Sequence, residues 1–111
     1  MNQDKKEITK GKVLELDNLI QYQKDSVVSR MLIQKQTGNM TLFAFDKDQG
    51  LSEHTAPFDA LVYILDGEAQ VNISQEVFVL KKGEAIIMPA NKPHSLKAVE
   101  KFKMVLVMIR S

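Results

Sequence analysis

Only two imidazoles occur in this chain, His54 and His94, forty residues apart. Imidazole titrates near neutrality, so such a pair can shuttle a proton, ligate a metal, or accept and donate hydrogen bonds to a bound molecule. Asp59 is the nearest carboxylate that could orient a histidine acting as base. Cysteine is absent, which removes thiolate nucleophiles, disulfides and sulfur-ligated metal clusters. Its absence also fits a reducing cytoplasm, and the cytoplasm is the expected compartment.

The elements that must position these residues read as strands. Apolar, β-branched runs cover residues 13–16, 27–33, 40–45, 61–65, 69–74, 77–80, 85–88 and 104–109, spaced as in an all-β sandwich or barrel. Helical periodicity is confined to about one turn around residues 17–22, where Asp17 can cap. Asp66-Gly67 and Gly38-Asn39 have the composition of two-residue hairpin turns, Ser74-Gln75 is a weaker one, and residues 81–84 close the next strand. Successive hairpins imply antiparallel pairing, and closing the sheet removes its edges.

Residues 104–109 are apolar on both faces, Met104, Leu106 and Met108 on one and Val105, Val107 and Ile109 on the other. A strand wet on one side would alternate with polar residues. This one is expected to be covered inside by the barrel core and outside by another sheet or a second subunit, which suggests a homodimer. Residues 1–11 read as a flexible arm, leaving residues 12–111 as one domain.

The whole chain has 111 residues, 44% hydrophobic and 26% charged, with a formal net charge of +1. That is the composition of a small globular protein. A charge so close to zero argues against nucleic acid as a partner. No apolar run approaches the ~20 residues needed to span a bilayer, so no membrane partner is expected either.

Around the two histidines the sequence resembles the cupins, small jelly-roll barrels with two motifs. The first, G-x5-H-x-H-x3,4-E-x6-G, is met in spacing by His54 through Gly67. The second, G-x5-P-x-G-x2-H-x3-N, is met by Gly83, Pro89, Asn91 in place of the glycine, His94, and Ala98 in place of the final Asn. The likeness spans about residues 40–110 and implies an antiparallel jelly-roll β-barrel. It also implies a metal shell of three His and one Glu, and carried over position by position that shell keeps His54 and His94. Ala56 stands for the second His and Ala60 for the Glu.

Two imidazoles alone hold a divalent ion (Zn, Mn, Fe or Ni) only weakly. The two alanines make the floor apolar and favour neutral histidines. The pocket implied is lined by His54, Ala56, Ala60, Val62, His94 and Leu96. The leading expectation is a small-molecule-binding barrel with the histidines as its polar groups. A metal-dependent dioxygenase or isomerase is the alternative, with His54 and His94 as ligands. A metal-free isomerase with His54, His94 and Asp59 as catalytic candidates, or a purely structural dimer module, are further readings. The residues leave open whether the chain is an enzyme.

Overall fold

The computed structural model describes residues 10–110. Eight strands follow a single short 3₁₀ turn at Leu16–Asn18: β1 (Val27–Lys35), β2 (Gly38–Phe45), β3 (Gly50–His54), β4 (Ala60–Ile73), β5 (Glu76–Lys81), β6 (Ala85–Met88), β7 (His94–Lys97) and β8 (Phe102–Ile109). All pairings are antiparallel, in the order β1-β2-β8-β4-β7-β3, with β5 and β6 also hydrogen-bonded to β4. This is the curled, all-β jelly-roll architecture expected from the spacing of the apolar runs. Residues 1–9 of the expected arm lie outside the described residues. Lys10 and Gly11 form an exposed turn.

Strand β4 organises the sheet, and it corrects one expectation. Asp66-Gly67 is not a hairpin turn, because β4 runs through it for 14 residues. Its first part lies between β6 and β8, and its last part between β5 and β7. The register with β8 slips between Ile64 and Asp66, and Gly67 takes φ 77°. The glycine is needed because β8 passes so close that a Cβ at position 67 would meet the Lys101 carbonyl oxygen and the Phe102 backbone. The positive φ therefore bends one strand out of the first half of the sheet into the second, as bulges do at barrel corners.

Two other local expectations shift and one holds. The first hairpin turns at Gln36-Thr37, with Lys35 facing Gly38, two residues before the Gly38-Asn39 site. The glycine serves instead where β8 crosses, since a Cβ there would meet the Met108 carbonyl oxygen. Residues 13–16 do not form a strand, and Leu16 instead opens the 3₁₀ turn. Ser74-Gln75 is a tight turn as expected, with both residues at positive φ, 48° and 73°.

Alternation along the strands builds two apolar layers. The interior holds Phe45, Val62, Ile64, Val71, Phe102 and Met104, all fully buried. Phe45 stacks on Phe102 at 4.5 Å between ring centres. Burying a side chain of this size contributes about 1.5–3 kcal/mol. On the outer face, Leu42, Ala44 and Val105 are buried beneath Ile20, with Leu16, Leu19 and Tyr22 packed alongside. The outer cover of β8 at this end is therefore the chain's own N-terminal segment, where another sheet or a second subunit was expected.

Polar contacts strap that segment down. Lys103, only 8% exposed, donates from Nζ to the Asp17 carbonyl at 2.5 Å. Arg30 donates to the Leu19 carbonyl at 3.0 Å. The Tyr22 hydroxyl donates to Asp66 at 2.6 Å. Burial first, then that carboxylate, push the Tyr22 hydroxyl well above its ordinary pKa.

Candidate functional site

His94 and Leu96 share a face of β7 by the period of two, and Leu96 is part of the interior cluster. His94 pairs with Ile73 of β4 on one side and with His54 of β3 on the other. The odd spacing from Leu51 to His54 would by itself put these two residues on opposite faces of β3. The register shift between them inserts one extra residue, so Leu51 pairs with Leu96 and His54 with His94. That bulge is what turns His54 to the same side as His94.

The two rings meet edge to face, with centroids 4.4 Å apart and planes at 71°. His54 Nδ1 lies 2.8 Å from the Ser52 carbonyl oxygen, and His94 Nδ1 lies 3.2 Å from that of Lys92. A carbonyl can only accept, so each Nδ1 carries the proton. In the neutral ring Nε2 then has a free lone pair. His94 is 5% exposed, and burial pushes its pKa below the ordinary 6.5. The His54 ring lowers it further, against the opposing pull of the Lys92 carbonyl. The resulting chemistry is a pair of adjacent acceptors, one buried and one at the surface.

Both histidine-bearing loops are tied together. Asn91 takes φ 64°, the left-handed turn its motif position calls for, and its N–H donates to the Ala56 carbonyl at 2.7 Å. The Asp59 carboxylate accepts the Ala90 N–H at 2.8 Å. Ser74 N–H donates to the Pro93 carbonyl at 2.9 Å. Asp59 is thus engaged in holding the loop that leads into His94, while backbone carbonyls orient both imidazoles.

Of the other pocket candidates, Ala60, Val62 and Leu96 lie in the packed interior cluster, and Ala56 is half-buried in the loop beyond β3. Met40 packs against the outer apolar cluster, away from the barrel interior. A polar group not singled out from the sequence is Thr41, 7% exposed, whose hydroxyl bonds the Asn39 side chain at 3.3 Å. Both share a face of β2 with Phe43 and Phe45, and that parity was the available signal. Two grooves lie away from the histidines. One of about 680 Å³ runs between Leu19–Gln23 and Val28–Arg30, and one of about 410 Å³ lies between β5 and β6.

Among the described residues, no three His, Cys, Asp or Glu side chains come together in an arrangement suited to a metal ion. The two imidazoles are two donors, where protein-held metals ordinarily take about three or four. This donor set does not fit a resident metal.

A curled antiparallel barrel, with one histidine from each of two loop-linked motifs at neighbouring strand ends, defines the class of protein. Residues 41–110 match the cupin domain family, and the chain belongs to it. A conserved protein of unknown function from Streptococcus pyogenes is 42% identical, with TM-score 0.87, and the match covers 91% of this chain and 89% of that one. A cupin 2 conserved barrel domain protein from Leptotrichia buccalis is 40% identical with TM-score 0.85 over 87% of this chain. This chain spans only 47% of its length. A cupin superfamily protein from Desulfitobacterium hafniense is 27% identical with TM-score 0.87, over 92% of this chain and 94% of that one. No curated protein matches the chain.

Proposed function

We propose that this cupin binds a small organic molecule, with His54 and His94 as the polar groups that recognise it. The observation that supports the reading is the shared tautomer. Both Nδ1 atoms are occupied by backbone carbonyls, so two neighbouring Nε2 lone pairs are left as acceptors beside an apolar interior. Such a site favours a compact, largely apolar ligand bearing hydroxyl or N–H donors. A divalent metal (Zn, Mn, Fe or Ni) binds here only weakly, through two imidazoles with water in the remaining positions. The reading needs no chemical step, and a chain without cysteine suits a reducing compartment such as the cytoplasm.

The test is a ligand-observed NMR screen of small hydroxyl- and amine-bearing compounds against wild type, His54→Ala and His94→Gln. Compounds that bind wild type and are lost from both variants, with thermal melts unchanged, would support the reading. Binding that survives both substitutions would end it.

A further inference from the structure

Four strands keep one edge that no other strand covers among the described residues: β1, β3, β5 and β6. Open edges invite pairing, and folds blunt them with bulges, brevity or proline. The register of β1 slips between Met31 and Ile33, and that of β3 between Leu51 and His54. Strand β6 has only four residues and ends before Pro89. Strand β5 has none of these guards. Its six residues hold an unbroken register with β4, from Ile73–Glu76 to Glu68–Lys81.

Across the Ser74-Gln75 turn the flanking pair Ile73–Glu76 exchanges both hydrogen bonds, so by alternation Phe78 and Leu80 also bond to β4. Val77, Val79 and Lys81 therefore point their N–H and C=O groups away from it. Lys81 is satisfied by its own loop, its N–H donating to the Glu84 carboxylate at 2.8 Å and its carbonyl accepting the Glu84 N–H at 2.9 Å. Val77 and Val79, 60% and 55% exposed, have no such partner among the described residues. Beside them a groove of about 410 Å³ opens between β5 and β6, over Phe78, Leu80, Ala85 and Ile86. Phe78 and Ile86 are only half-buried there, at the margin of the interior cluster.

We infer that the β5 edge binds an extended segment of a partner protein, added as an antiparallel strand. The free groups of Val77 and Val79 recur two residues apart, about 6.8 Å, a spacing that another strand's backbone repeats and a compact molecule does not. Adding a strand satisfies them all, and every second side chain of the newcomer enters the groove over Phe78 and Leu80. Charge sets the partner's chemistry at the ends. Lys81, with Lys82 beside it, faces an acidic residue, and Glu76 faces a basic one. The segment is thus a short alternating stretch with apolar residues on one face and opposite charges at its two ends.

Amide hydrogen exchange of the full chain, read by NMR, tests this with a hexapeptide blocked at both ends, Glu-Leu-Thr-Ile-Thr-Lys. Its leucine and isoleucine lie over Leu80 and Phe78, and its threonines oppose Val79 and Val77. Without peptide, the Val77 and Val79 amides should exchange fast and those of Phe78 and Leu80 slowly. Peptide at ~1 mM should slow Val77 and Val79 about tenfold, the factor for a dissociation constant near ~100 µM. Val79→Pro removes one outward donor and no bond to β4, so it should keep the slow Phe78 and Leu80 amides and lose the peptide's effect on Val77. On wild type, N-methylation of both threonines should abolish the slowing, and N-methylation of the isoleucine, whose N–H points away from β5, should spare it. No slowing by the unmodified peptide would overturn the inference. So would slowing that survives Val79→Pro or the methylated threonines, or loss of slowing on methylating the isoleucine. Protection of Val77 and Val79 without peptide that fades on dilution would assign the edge to a second copy and overturn it equally.

Discussion

Replacing Gly67 by alanine probes the bend that carries β4 from one half of the sheet into the other. At φ 77° an L-residue costs about 1–2 kcal/mol through its own Cβ. Here the Cβ would also meet backbone, with the Phe102 Cα only 2.9 Å away and the Lys101 carbonyl nearer still. Neither can swing aside as a side chain would, so β8 must shift, and forced overpacking of that kind costs a further ~1–3 kcal/mol. Gly67→Ala should therefore lose about 2–5 kcal/mol in urea unfolding, or roughly 10–30 °C in Tm for a domain of this size. Gly67→Asn distinguishes the two causes. Asparagine tolerates left-handed backbone, and in an ordinary hairpin turn it would restore most of the loss. Against the β8 backbone it should not, leaving both variants comparably destabilised. If both stay within about 1 kcal/mol of wild type, the claim that β8 is pressed against this glycine is wrong.

Three further outcomes follow. Gln75 sits at φ 73° without being glycine, so Gln75→Gly should raise stability by about 1 kcal/mol, seen as a higher urea midpoint at unchanged slope. Tyr22→Phe leaves the Asp66 carboxylate without its 2.6 Å donor and should cost about 1–2 kcal/mol in the same assay, and a neutral result would show that the strap does not depend on this bond. The lowered pKa of His94 means the folded chain binds that proton less readily than the unfolded chain. Stability should therefore be greatest above pH 6.5 and decline as pH falls below it, and His94→Gln should flatten the decline in melts between about pH 8 and pH 5.

Much of this architecture could be read from residue type and period. The apolar runs marked six of the eight strands within a few residues, two of the runs falling in β4 and none in β3 or β7, because β-branched and aromatic side chains suit a pleated surface whatever sheet they join. His94 was legible by parity with Leu96 along a regular strand. His54 was not, because the bulge between Leu51 and His54 reverses the parity that simple counting assigns. Asp66-Gly67 misled for a related reason. A glycine at positive φ serves a hairpin and a strand crossing equally, and only the approach of residues 101–102 distinguishes them. The double-faced β8 was read as covered on both sides, and its outer face is covered only in part, with Val105 buried, Val107 half-buried and Ile109 exposed. That residues 16–22 supply part of the cover depended on Lys103, Arg30 and Asp66, which reach back across the sheet to the N-terminal segment from distant sequence positions.

The central claim concerns two imidazoles of fixed tautomer, each with a free Nε2. Nitrogen-15 NMR of the histidine rings, recorded above pH 7 with only two imidazoles to assign, measures that directly. The account predicts a protonated Nδ1 and an unprotonated Nε2 on both rings, with any ligand that binds shifting the Nε2 signals. A proton on Nε2 of either ring at that pH would contradict it, because the paired acceptors on which the proposed recognition depends would then be absent.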